Sequence, residues 1–189
     1  MDCFVDIQCF LDADKLIIKE LAVISVDGSI LEHYIFKPHT PYEKLSRIYR
    51  KINRKLSVRY HGLPYKSGFI PYAEVNQVIT SICEHFSNIY TINAENKAVF
   101  DNYAHWESDR VKILVDGPNF KPIKKRFVYK ACTSHIGANN NCSLQNVRSL
   151  ARWYQNEHEG ASRLSFDSEC TSCEIFWWRF CLQLFTRKN

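Results

Sequence analysis

The sequence predicts an α/β domain: a three-stranded antiparallel meander extended by parallel strands and flanked by helices. Three observations predict it. Apolar, β-rich runs at 3–10, 16–26 and 29–37 follow one another closely, with Asp27-Gly28 between the second and third. Asp-Gly at that place is a hairpin signal, because both residues tolerate the positive φ of a type I′ turn. The period then turns helical, and strand and helix patterns alternate to the last amphipathic segment, as expected for a partly parallel sheet.

Each element has its own justification. From Glu43 to Leu56, apolar residues Leu45, Ile48, Tyr49, Ile52 and Leu56 recur at helical spacing, with basic residues filling the other side. A turn-rich stretch from Tyr60 to Tyr65, with Gly68 and Pro71 after it, leads to a second helix from about Tyr72. Val75, Val78, Ile79, Ile82, Cys83 and Phe86 form that helix's core stripe. A strand at 89–92, a helix at 94–105 and a strand at 111–115 follow, then an irregular stretch to about Cys142. The last helix carries Leu144, Val147, Leu150, Ala151 and Tyr154. The domain is expected to span 1–154, with 155–189 a polar linker and an aromatic-basic tail.

Composition narrows the function. With 46% apolar, 14% aromatic and 24% charged residues among 189, the chain is neither disordered nor collagen-like, and it can build a core. No run approaches the ~18 apolar residues of a membrane-spanning helix. The start, Met-Asp-Cys-Phe-Val-Asp, lacks the basic and apolar regions of a signal peptide, so an intracellular location, cytoplasmic or nuclear, is the expectation. There the eight cysteines are more readily buried, reactive or metal-bound than paired.

Charge is concentrated. Lys44, Arg47, Arg50, Lys51, Arg54, Lys55 and Arg59 face the single Glu43 within 42–59, a net +6 in a chain whose total is +5. Such a block is the footprint of a polyanion partner; the alternative is a solvated helix face. Tyr42, Tyr49, Tyr60 and Tyr65 interleave with the cations and offer rings for stacking on bases, although the helical spacing of Tyr49 points it to the core.

Cys132-x-x-His135 followed by Cys142 puts two thiols and an imidazole within eleven residues. That set suits a tetrahedral zinc site lacking one ligand. The run Asn139, Asn140, Asn141 with Gly137 suits the tight loop that the spacing requires. The alternative is two buried thiols and a surface histidine. Cys170-x-x-Cys173 has the spacing of a zinc half-site or redox pair, without a second half-site.

The order of these elements and motifs resembles the DEDD (DnaQ-like) exonucleases of RNase H-like fold, over residues 3–154. Phe4-Val5-Asp6-Ile7-Gln8 is similar to the family's Asp-x-Glu strand, and Glu20-Leu21-Ala22-Val23 through Phe36-Lys37-Pro38 to its second and third strands. His61-Gly62-Leu63 and Pro71-Tyr72-Ala73-Glu74-Val75 are similar to its His-Gly turn and following helix. The resemblance implies four carboxylates holding two dications. Here Asp6 keeps the first position, but Gln8 replaces the Glu, and Asn141 and Asn146 stand where a His and an Asp belong on the last helix. Glu95 and Asp101 are the nearest acids to the second motif. The expectation is a vestigial centre (Asp6, Gln8, Asn141, Asn146) without two-metal catalysis; Asp6 alone is either a hydrogen-bonded strand carboxylate or a remnant of a single-metal site.

Within that superfamily the chain resembles Maelstrom domains, which carry a Glu-Cys-His-Cys metal site. The resemblance implies zinc held by Glu20, Cys132, His135 and Cys142. The leading expectation is a zinc-braced pseudo-exonuclease binding RNA or single-stranded nucleic acid. A second is a metal-independent single-strand RNA nuclease using His61, Asp6 or Glu95. A third is a protein-interaction scaffold acting through Phe176-Trp177-Trp178-Arg179-Phe180 to Phe185.

Overall fold

The structure is a computed structural model that describes residues 1–13, 15–103, 110–114, 131–136 and 141–158. Strands β1 (Asp2–Asp12), β2 (Lys15–Ser25) and β3 (Leu31–Lys37) form the antiparallel meander. Helix α1 (Arg47–Arg59), a two-residue strand β4 (Ile70–Pro71), α2 (Val75–His85), β5 (Asn88–Thr91), α3 (Ala94–Tyr103), β6 (Val111–Ile113) and α4 (Ser143–His158) follow. The six strands lie in the order β4-β3-β2-β1-β5-β6, with β5 parallel to β1 and β6 parallel to β5. No helix among the described residues is long and apolar enough to cross a membrane. The aromatic tail Phe176–Phe185 and Cys170/Cys173 lie outside the described residues, as do Gly137, Asn139 and Asn140; α4 itself continues past Tyr154 to His158.

Strand alternation sorts the core into two faces. Odd residues of β1 (Cys3, Val5, Ile7) pack with Val75, Ile79, Ile82, Phe86, Val99 and Phe100 of the α2–α3 layer. Even residues face the other way, Phe4 against Val147, Leu150 and Ala151 of α4, and Phe10 against Leu45 and Leu56. Asp6 and Gln8 stand on this second face.

A bulge in β2 sets the register there. Gln8 pairs with Glu20 and Cys9 with Ile18, leaving Lys19 as the extra residue. The insertion flips the parity, so Ile17 and Ala22 share a face although five positions separate them. Lys19 turns fully inward, and its Nζ donates to the carbonyls of Phe36 (3.0 Å), Tyr65 (3.1 Å) and Ser67. This buried amine, pushed down to about 7 by desolvation, thereby ties the 65–67 loop to the sheet next to Glu20.

Two expectations need correction. The turn between β2 and β3 is not type I′: only Gly28 takes positive φ (76°), and the loop closes through Ser25 N–H to the Ile30 carbonyl, with Asp27 accepting from Ser25 Oγ and Ser29 N. The 43–56 helix begins later, at Arg47, because the Ser46 hydroxyl caps it by accepting from Tyr49 N. Leu45 is buried ahead of the helix and so does not set its phase. The inward side is Tyr49, Ile52, Asn53 and Leu56, leaving Ile48 69% exposed. Asn53 works as a strand surrogate: its Oδ1 accepts from Leu11 N (2.9 Å) and its Nδ2 donates to Leu11 O (2.8 Å), seating α1 where β5 no longer covers β1.

Candidate metal centre and its surroundings

Four predicted ligands converge. Glu20 from β2, Cys132 and His135 from the 131–136 segment and Cys142 just before α4 place one donor atom each within 4.8 Å of one another. From Glu20 Oε1 the distances are 3.0 Å to His135 Nε2, 3.5 Å to Cys142 Sγ and 3.7 Å to Cys132 Sγ. Bonds of about 2.0–2.3 Å at tetrahedral angles put oxygen and nitrogen roughly 3.3 Å apart and oxygen and sulfur roughly 3.5 Å apart, so the donor set fits one small metal ion. Thiolates and imidazole favour a zinc-like ion over magnesium or calcium.

Local structure holds each ligand. Gly62, with φ 69°, turns the chain after α1, and the turn's carbonyls receive the metal loop: Tyr60 O accepts from Asn141 N, Gly62 O from Ile136 N, and His61 O from His135 Nδ1. Donation by Nδ1 fixes the tautomer that points Nε2 at the cluster. Cys142 caps α4, accepting Asn146 N on its carbonyl, and Glu20 Oε2 accepts from Ser143 N at 2.8 Å. Both therefore sit in the positive field of a helix N-terminus.

The electrostatics agree. Burial opposes ionisation of Glu20, but hydrogen bonds from His135 and His33, the His135 charge and Ser143 N–H together hold its carboxyl at about 2. Cys142 falls to about 5, chiefly because Cys132 donates to it, with burial opposing, while the Cys132 thiol is pushed up by the same contact and by burial. His135 rises to about 10: burial works against this, and bonds to Cys142 and Glu20 outweigh it. The cluster thus carries two anions, Glu20 and Cys142, beside a protonated His135 and a neutral Cys132, and a metal ion bound there would displace the protons of the last two.

The vestigial set also assembles beside it. Asp6 Oδ2 accepts from Asn146 Nδ2 (2.9 Å) and Gln8 Nε2 (3.2 Å), and Asn146 Nδ2 also reaches Asn141 Oδ1 (2.7 Å). Asn96 of α3, rather than its neighbour Glu95, meets Asp6, donating to Oδ1 at 3.1 Å; nothing in the sequence pattern marks it. Amide donors occupy both oxygens where metal ions would bind, so Asp6 is a hydrogen-bonded strand carboxylate. Glu95 is half-buried and Asp101 pairs with Lys97 at 3.2 Å.

Burial raises Asp6 to about 6 against the lowering hydrogen bonds of Asn146, Ser143 and Gln8. A carboxyl raised above its unfolded value of 3.8 adds stability at low pH that disappears as pH climbs through 6. Asp6→Asn keeps the shape but turns an N–H toward donors, and is expected to cost about 1–2 kcal/mol near pH 5. That cost should shrink by about 1 kcal/mol at pH 7.5, where the parent carries the ionised group. Urea unfolding of both proteins at the two pH values checks this, and a pH-independent difference would contradict it.

The basic residues are on the surface: Lys44, Arg47, Arg50, Lys51, Arg54 and Arg59 are exposed and Lys55 is half-buried. Of the four tyrosines among the cations, Tyr65 is buried and Tyr42, Tyr49 and Tyr60 are half-buried. Tyr65 is buried against Phe10 with ring centroids 4.9 Å apart, and Tyr42, Tyr49 and Tyr60 pack around the same cluster. His33, which the sequence reading did not single out, donates to Glu20 at 2.8 Å; the hairpin register, placing it opposite Ala22 on the face of Glu20, is the signal that points to it. No family model matches the chain, and no curated protein sequence matches it.

Proposed function

We propose that the chain is a Maelstrom-like domain of RNase H-like (DnaQ-like) fold, a zinc-braced pseudo-exonuclease that binds RNA or single-stranded nucleic acid through α1. The strand order β3-β2-β1-β5-β6, with the first three antiparallel and β5 and β6 parallel to β1, supports the fold reading. The observation that carries the binding reading is the outward face of α1, where Arg47, Arg50, Lys51 and Arg54 are all exposed. Phosphates are its natural partners, since cations on a helix neutralise them without reading sequence.

Zinc, when bound by Glu20, Cys132, His135 and Cys142, supplies a closed structural brace with no open position for substrate. The residues themselves pin the end of α1, the start of α4 and the centre of β2 to one point. A metal-independent nuclease is less well supported: His61 is fully buried and pushed down to about 3 by that burial, and Asp6 is 3% exposed. Of the three residues this reading would use, only Glu95 is more than slightly exposed, and it is half-buried.

The test is metal content of the purified full chain together with binding of labelled single-stranded RNA from 50 to 200 mM salt. One zinc per chain and a log affinity falling linearly with log salt are expected. Absence of binding at 50 mM salt would move the interaction-scaffold reading ahead. No magnesium- or manganese-dependent exonuclease activity is expected, because Gln8, Asn141 and Asn146 stand where ligands or the general base belong, and so carboxylate-poor a site does not hold two dications about 4 Å apart. Mononucleotide release that requires Mg²⁺ and vanishes in Asp6→Ala would refute this.

A further inference from the structure

Glu20 is held more tightly than a four-residue ligand set requires. Its Oε2 is fixed by Ser143 N, and its Oε1 lies 2.8 Å from His33 Nε2, closer than the 3.0 Å to His135. His33 stands on β3 with its side chain 20% exposed, beside a fully buried Glu20. It is not one of the four residues whose donor atoms lie within 4.8 Å of one another, so it touches the ligand and not the metal position. An ionised carboxylate only accepts, so the imidazole donates Nε2–H.

We propose that His33 is a positioning residue of the metal centre. It occupies one lone-pair direction of Glu20 Oε1 and leaves the other aimed at the point shared by Cys132, His135 and Cys142. With Ser143 N–H holding Oε2, the carboxylate cannot swing round to offer both oxygens, and the site stays four-coordinate. Without His33, Oε1 loses that outer partner and the carboxylate is held by Ser143 N–H at Oε2 alone, so the ligand is less well placed. The inference rests on the metal reading above.

The experiment compares full-length parent, His33→Ala and His33→Gln by zinc competition with a chromophoric chelator and by the absorption spectrum of cobalt(II)-loaded protein. All three should take up one metal per chain, with His33→Ala about 10–100-fold weaker, as for other outer partners of metal ligands. His33→Gln, which keeps an N–H donor, should recover to within about threefold of the parent. The cobalt ligand-field bands should shift and weaken in His33→Ala alone, a change that loss of a merely structural contact would not produce. Parent-like affinity and spectrum in His33→Ala, or a His33→Gln protein as weak as His33→Ala, overturns the role of His33 and leaves the metal centre standing. A parent that binds neither zinc nor cobalt overturns the metal reading itself, and this proposal with it.

Discussion

Cys132→Ser is expected to leave the protein without zinc and to lower its melting temperature by roughly 10 °C, given 2–4 °C per kcal/mol for a chain of this length. The argument starts from what the ligands hold together. Cys132 and His135 belong to a segment joined to the 60–62 turn by backbone bonds, and Cys142 and Glu20 close the first turn of α4. Structural zinc contributes about 10–16 kcal/mol to isolated fingers, which have almost no other core. Here the sheet keeps two apolar layers, so a loss of about 3–5 kcal/mol is the proportionate expectation. It includes the cost of leaving Glu20, fully buried, with an incomplete shell. Chelation should lower the parent's melting temperature by a similar amount and leave Cys132→Ser unmoved. Elemental analysis that finds no zinc in parent purified without chelator, or a melting temperature indifferent to chelator, would defeat the prediction.

Legibility of the fold followed the physics of each element. The meander and α2 were readable because their apolar periods are set by residues inside one regular element. Helix α1 was misphased because Leu45, buried ahead of the Ser46 cap, entered the helical count; the error put Ile48 inside when it is 69% exposed. The bulge at Lys19 left no local mark, since a lysine between Ile18 and Glu20 reads as an outward residue of a regular strand. Only three carbonyl acceptors on other segments make its inward placement tolerable.

The site divides in the same way. Cys132, His135 and Cys142 declare themselves by spacing, whereas Glu20, more than a hundred positions away, was reachable only through the resemblance. His33 and Asn96 depend on strand register and helix phase, which a single sequence fixes poorly. Asn96 shows the cost: one position separates it from Glu95, and that position decides which side chain meets Asp6. The tyrosines among the cations divide likewise. Their spacing matches the basic run, but Tyr65 is buried in the core against Phe10, while Tyr42, Tyr49 and Tyr60 pack on the same cluster and stay half-buried.

Replacing Arg47, Arg50, Lys51 and Arg54 together by Ala is expected to remove most nucleic-acid affinity without unfolding the domain. None of the four lies in the buried side formed by Tyr49, Ile52, Asn53 and Leu56, and all are exposed. Each phosphate contact to a single strand contributes about 0.7 to the slope of log affinity against log salt, so four lost contacts should flatten it by about 3. These contacts are screened away near 1 M salt, and carrying that slope back to 50 mM predicts a loss of roughly 5,000-fold, similar for every sequence tested. Stability should hold or rise slightly, because Arg47 and Lys51, like Arg50 and Arg54, are like charges one helical turn apart whose repulsion the change removes. Zinc content should match the parent, which separates the electrostatic effect from damage to the nearby metal loop. If the quadruple variant binds single-stranded RNA as the parent does across 50–200 mM salt, the cations are a solvated face, and the domain's partner is to be sought among proteins.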